Sequence, residues 1–229
     1  MTEPDLRGTG RWRNLTGEDR SSGVGRRGSP GAAGAGVRAC LRTCFLLPVP
    51  AESGTHPFMN THSSWITRVE TGEDIAAVRA INVAAFETAA EADLVDALRD
   101  DPAWIDGLSL VAAGADGKPV GHALLTRCHI GVTPALCLAP VAVLPSHQRT
   151  GAGTAVTRAA LAAAALLGER FVVVLGHPEY YPRFGFGRAS EHGIDVTIDV
   201  PDEALMALAL DPEHPLPSGT VRYAPPFGI

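Results

Sequence analysis

The stretch Val141-Ala-Val-Leu-Pro-Ser-His-Gln-Arg-Thr-Gly-Ala-Gly153 constrains the fold more than any other part of this chain. An apolar, β-branched run ends at Pro145, a polar turn follows, and an alanine-rich segment begins at once. A strand that passes through a glycine turn into a helix start is a phosphate cradle. Its glycines let the backbone approach an anion closely, and the first helical turn offers N–H groups that lack an intrahelical acceptor. Two common cradles are excluded. No G-x-x-x-x-G-K-[ST] is present for a nucleoside triphosphate, and Val156 stands where G-x-G-x-x-G needs its third glycine. What remains is Gln148-x-x-Gly151-x-Gly153.

A second segment lies downstream. Phe171 to Leu175 is continuously apolar, as in a strand buried on both faces. Gly-His-Pro-Glu-Tyr-Tyr-Pro-Arg-Phe-Gly-Phe186 follows and contains Tyr181-x-Arg183-x-Gly185-Phe186. The first segment resembles the Q/R-x-x-G-x-G/A pyrophosphate loop of the GNAT acyl-CoA N-acetyltransferases. The second is similar to the Y-x-K/R-x-G-F segment of that family, in the same order and at a family-like separation. LAPVAVLP, QRTGAG and GHPEYYPRFGF together resemble a bacterial acetyltransferase subgroup whose substrates are mostly undefined. The resemblance runs from about Ile66 to the C-terminus. It implies an α/β acyl-CoA N-acyltransferase (GNAT) fold, with a mixed sheet whose strands 4 and 5 splay and with flanking helices. It also implies acetyl-CoA as co-substrate, and no metal.

Composition divides the chain. Residues 1–58 hold eight arginines against five acids, whereas the remainder holds eleven basic residues against twenty acids. An acidic domain argues against a nucleic-acid backbone as ligand and is compatible with an amine-bearing one. No apolar run approaches the ~20 residues of a membrane span, so no membrane partner and a cytoplasmic location are expected. Cys40, Cys44, Cys128 and Cys137 form neither a disulfide framework nor a zinc spacing, and the last two read as small core residues. Residues 1–58 contain ten of the 25 glycines and show no helical or strand period. They read as a disordered or untranslated leader with Met59 as the start, and residues 65–229 as the acetyltransferase domain.

From Trp65 the pattern is regular. A strand over 65–69 leads to Thr71, an N-cap with Asp74 reaching back, and to helices from Ile75 to about Phe86 and from about Glu91 to Arg99. Strands follow at 108–112 and 119–130, joined by a hairpin at Asp116-Gly117, and another at 136–144. A helix over 151–167 closes at Gly168, and the strand from Phe171 comes next. A short helix around Tyr180, a strand near 195–200, a helix near 202–208 and a strand near 221–224 complete the order.

The resemblance also assigns roles. The strand carrying Pro140, which has no N–H to give a ladder, splays from its neighbour. The backbone of Val141, Ala142 and Val143 then holds the pantetheine arm, and one N–H faces the thioester oxygen. Arg149, Thr150, Gly151, Ala152, Gly153 and Thr154 cradle the pyrophosphate, with Gln148 orienting the loop. Tyr181 is the candidate general acid, since a phenol of pKa ~10 keeps its proton at neutral pH and can give it to a departing thiolate. Tyr180 and Phe184 read as packing. Glu87, Glu91, His122, His129 and His177 are all candidates for a general base, and none is singled out. The expected activity is transfer of acetyl to a primary amine, on a small molecule or a protein, and a homodimer is compatible with it. A different class of reading is a non-catalytic acyl-CoA-binding sensor or interaction module.

Overall fold

The computed structural model describes residues 65–229, so the reading of residues 1–58 as a leader, with Cys40 and Cys44, lies outside the described residues. β1 (Ile66–Val69) leads through a 3-10 turn (Gly72–Asp74) into α1 (Ile75–Phe86) and α2 (Ala90–Arg99). The Asp74 carboxylate reaches back as expected, accepting from Thr71 N and Thr71 Oγ1, both at 2.8 Å. Arg68 donates to the same carboxylate from both terminal nitrogens, which holds the Asp74 pKa well below the usual range.

β2 (Ser109–Ala113), β3 (Pro119–Ile130) and β4 (Thr133–Val143) form an antiparallel meander. Asp116 and Gly117 make the β2–β3 turn, with Gly117 at φ 77°. α3 (Ala152–Leu166) then crosses to β5 (Phe171–Leu175), which runs parallel to β4. β6 (Gly187–Arg188), β7 (Ile194–Asp195), β8 (Leu205–Ala209) and β9 (Gly219–Arg222) complete the fold. The sheet order is β1-β2-β3-β4-β5-β8-β6, while β9 pairs with β3 and with β7. This is a mixed α/β sheet.

Alternation along the strands sets the two layers. Leu110, Ala112, Ala123, Leu125, Val172 and Val174 face α3 and pack with its Ala152, Val156, Ala160 and Ala164. Val111, Leu124, Cys128, Cys137 and Val173 face the other way and share a cluster with Val78 of α1 and Leu94, Val95 and Leu98 of α2. The alanines keep the inner surface of α3 narrow, so the helix can lie close to the sheet. Burial pushes the Cys128 thiol up to about 12 and raises Cys137 well above its ordinary value, which keeps both protonated. They are core residues.

The split that the sequence reading expects is present. β4 and β5 pair only at Leu136↔Val172 and Cys137↔Val173. β4 then runs on to Val143 with its other edge held on β3, as far as the pair Gly121↔Val143. The edge of β4 beyond Cys137 therefore opens into a wedge between β4 and β5.

Two C-terminal expectations are corrected. The helix expected near 202–208 is a 3-10 turn (Asp202–Ala204) followed by β8. Leu-Met-Ala-Leu-Ala favours helix by only a few tenths of a kcal/mol per residue. Burying Leu205 in one core layer and Met206 in the other contributes roughly 1.5–3 kcal/mol each, and β8 also pairs with β5 along its whole length. Tertiary pairing wins. The strand expected near 195–200 shrinks to Ile194–Asp195. Val196, Ile198 and Val200 do alternate with exposed Thr197 and Asp199, but no ladder partner extends beyond Asp195. Smaller differences move β4 forward to start at Thr133 and the last strand to 219–222.

Candidate active site

The mouth of the wedge is built from two chain segments. On the β4 side, Val141 and Val143 are half-buried and Ala142 is buried, packed with Ile81 and Phe86 of α1. A 3-10 turn (Pro145–His147) carries the chain away from the strand. Gln148 folds its side chain back, and its Nε2 donates to Val143 O at 3.3 Å, tying the loop to the end of the strand. Thr150 Oγ1 donates to His147 O at 2.6 Å. Trp65, just ahead of β1, donates from Nε1 to Thr150 O at 3.1 Å and meets the His147 ring edge-on at 5.9 Å. The sequence reading assigns no role to Trp65. Only the sheet brings it 85 positions along the chain to the loop.

Arg149 is exposed with φ 62°, and Gly151 caps α3 with φ 93°. Such angles cost an L-residue more than they cost glycine. They turn the chain so that the first helical bond is Ala155 N to Gly151 O, at 2.9 Å. The N–H groups of Ala152, Gly153 and Thr154 therefore lack intrahelical acceptors and point out of the helix start. With the helix dipole behind them they have the geometry of a turn that can accept an anion. Residues 148–154, expected from the sequence to hold a pyrophosphate, thus form one continuous turn between the end of β4 and the first turn of α3.

On the β5 side, Gly176 follows the strand directly and donates to Ala204 O at 2.9 Å. A Cβ at Gly176 would lie 2.5 Å from Tyr181 Cε2. The missing side chain is what lets the Tyr181 ring lie on the end of β5. Tyr181 opens a 3-10 turn (Tyr181–Phe184) and is only 8% exposed. It packs edge-on against Tyr180 at 5.0 Å and Phe186 at 5.8 Å. A glycine immediately after a buried strand, in a segment that also carries the tyrosine, was the signal available for Gly176.

The five base candidates separate. His122 is wholly buried on β3, beside Ala142 in the ladder. Asn82 Nδ2 donates to Val78 O at 2.9 Å and lies 3.2 Å from His122 Nδ1. An amide nitrogen can only donate, so Nδ1 is the acceptor and Nε2 carries the proton. Nε2 then donates to Ser109 Oγ at 3.0 Å, and Ser109 donates to Glu70, which is ion-paired with Arg99 at 2.5 Å. Burial, aided by the Arg99 charge, lowers the His122 pKa to about 3. Both ring nitrogens are engaged and the ring is neutral, so His122 is a structural hub under the β4 strand. His129 pairs with Pro134 and Arg222 at the far end of β3, away from the loop. Glu87 is exposed at the left-handed end of α1. Glu91 is buried, and Thr88 Oγ1 donates to its Oε2 at 2.9 Å. His177 is half-buried, which lowers its pKa, and it stands beside the tyrosine turn. Among the described residues no group of three or more His, Cys, Asp or Glu is placed to hold a metal ion. No helix of the described residues is long and apolar enough to cross a membrane.

Residues 69–186 match the model of the acetyltransferase (GNAT) family. The chain is 35% identical over 161 residues to the uncharacterized N-acetyltransferase YjhQ of Escherichia coli (strain K12), covering 67% of this chain and 88% of that protein. It is 30% identical over 131 residues to the uncharacterized N-acetyltransferase YhbS of the same strain, with 56% and 77% covered. Among solved structures, it resembles Escherichia coli YhbS in complex with CoA, with a TM-score of 0.68 at 26% identity over 77% of this chain and 97% of that one. It also resembles a GNAT family acetyltransferase from Brucella melitensis in complex with acetyl-CoA, with a TM-score of 0.60 at 33% identity over 72% and 99%.

Proposed function

Because the chain belongs to the acetyltransferase (GNAT) family, we propose that it transfers the acetyl group of acetyl-CoA to a primary amine by direct attack. The observation that carries this reading is the wedge with a cradle at its mouth. β4 has a free backbone edge beyond Cys137, and that edge ends at three open N–H groups on the first turn of α3. A pantetheine arm has amides that such an edge can pair, and a pyrophosphate is the anion such a turn accepts. Relatives of this shape with CoA and acetyl-CoA bound support the choice of thioester.

In this reading the backbone of Val141, Ala142 and Val143 holds the arm, and residues 149–154 hold the pyrophosphate. Gln148 fixes the loop through Val143 O. The amine attacks the thioester carbonyl, and negative charge develops on the oxygen against a β4 N–H, a preorganised donor worth a few kcal/mol. The carbon–sulfur bond then breaks, and the thiolate takes a proton from the Tyr181 hydroxyl. The nitrogen loses its proton to solvent, and solvent returns a proton to the Tyr181 oxygen. The acceptor is a small-molecule amine or a protein amine. A cytoplasmic location goes with the use of acetyl-CoA.

The test is release of free thiol from acetyl-CoA with a panel of polyamines, amino acids and amine-bearing peptides. Amine-dependent release is the expected result. Binding of CoA without release from any amine would support the sensor reading, and no binding would overturn the cradle.

A further inference from the structure

Tyr180 lies next to the tyrosine singled out from the sequence, but it meets a different part of the wedge. A Cβ at Gly153 would lie 3.0 Å from the Tyr180 hydroxyl oxygen and 3.3 Å from Val143 Cγ2. The phenol of the β5 side thus reaches across the mouth to the first turn of α3, where the open N–H groups are. Its ring is held on several sides. The Arg183 guanidinium stands over it at 4.7 Å, and Arg183 Nε donates to Tyr180 O at 2.8 Å. Phe184 packs edge-on at 5.3 Å and Tyr181 at 5.0 Å. Among the described residues the hydroxyl itself makes no hydrogen bond.

A rigidly held donor with no protein partner, beside three backbone donors in the same state, is preorganised for an acceptor-rich ligand. We propose that Tyr180 is a cofactor-positioning residue: its hydroxyl donates to a pyrophosphate oxygen of the bound thioester, closing the cradle from the β5 side. Gly153 is then required for two reasons, to let the ligand approach and to leave room for this hydroxyl. The two adjacent tyrosines divide the work. Tyr181 lies on the end of β5 at Gly176, where the reading above puts the leaving thiolate, and the Tyr180 hydroxyl lies on the first turn of α3, where that reading puts the phosphates. This inference rests on the acyltransferase reading above.

The experiment is calorimetric titration of the full chain with CoA, for wild type, Tyr180→Phe, Gly153→Ala and the double variant, together with steady-state kinetics. Tyr180→Phe keeps the ring and its packing, so the melting temperature without ligand should be unchanged. Losing a hydrogen bond to a charged oxygen should weaken CoA binding roughly tenfold, raising KM for acetyl-CoA with kcat unchanged. Gly153→Ala should cost less in the Tyr180→Phe background than in wild type, because its methyl group then has no hydroxyl to displace. Pantetheine, which lacks the pyrophosphate, should inhibit wild type and Tyr180→Phe equally. Wild type that binds CoA with Tyr180→Phe binding equally well overturns the inference alone. So does a loss in kcat with KM unchanged, which would place Tyr180 in the chemistry. Failure of wild type to bind CoA overturns the acyltransferase reading and this inference with it.

Discussion

The two sides of the wedge are built on different principles. The β4 side, from Val141 to Thr154, presents its backbone: a free strand edge, two residues with positive φ at Arg149 and Gly151, and open N–H groups. Its side chains mainly hold the loop in place, as Gln148 does at Val143 O and Trp65 at Thr150 O. The β5 side presents side chains. Tyr180, Tyr181, Phe184 and Phe186 form one aromatic cluster, seated on a glycine that has no room for a Cβ. Anion binding needs many donors at fixed positions, and backbone amides cannot change rotamer. Proton donation needs a titratable group, and only a side chain supplies one.

Three substitutions would break or sharpen this comparison. The largest effect is expected on the side-chain half. Tyr181→Phe should lower kcat by roughly 10- to 1,000-fold, with little change in CoA affinity. A high-pH limb in the wild-type rate profile should weaken in the variant. Unchanged kcat would return Tyr181 to packing and leave the reaction without its acid.

On the backbone half, Gly151→Ala forces an L-residue to φ 93°, although its Cβ meets no atom closer than Trp65 Nε1 at 3.9 Å. The strain, of order 1–2 kcal/mol, should displace the loop and lower CoA affinity by roughly 5- to 30-fold. Thermal shift reads this out, because a ligand that binds only the native state raises the melting temperature with RT ln(1 + [L]/Kd). Equal shifts in wild type and variant would show that the turn is not part of the cradle. Gly153 is less clean as a test, since its neighbour is the Tyr180 hydroxyl.

The smallest effect concerns neither half but the support under β4. His122 is neutral when folded, with its pKa lowered from 6.5 to about 3, so the unfolded chain binds more protons below pH 6.5. Its contribution is complete above pH 6.5 and is lost progressively as pH falls toward 3. Between pH 6 and 5, wild-type unfolding free energy should therefore fall more steeply than that of His122→Leu, by roughly 1 kcal/mol per pH unit. The variant is less stable throughout, because Asn82 and Ser109 lose their partner, so the slopes are the quantities to compare. Parallel slopes in urea titrations would mean that His122 is not held neutral.

Legibility in the sequence followed the same division. The strand–turn–helix at 141–153 could be read because glycines, a proline and an alanine run dictate local backbone geometry. The order of strands and helices through β5 could be read because each alternates or repeats over enough residues to show its period. The C-terminal third could not. Leu205 to Ala209 carries helix-prone residues into a strand because β5 offers a ladder and a buried face. Val196 to Val200 alternates like a strand and finds no partner. Of the five base candidates, His122 is indistinguishable in sequence from a reactive histidine, because Asn82 of α1, Ser109 of β2 and Glu70 of the loop after β1 meet it only in the fold.

The sequence by itself determined the strand–turn–helix at 141–153, the splitting strand and the family, because each depends on residues close together along the chain. Where each tyrosine lies in the wedge was decided only by the tertiary structure. Tyr180 and Tyr181 are neighbours of one residue type, and nothing local distinguishes them. Gly176 makes room for one ring at the end of β5, and Gly153 makes room for the other hydroxyl on α3. That difference arises from packing between elements distant in sequence, where the presence or absence of a single Cβ decides which way a side chain can lie.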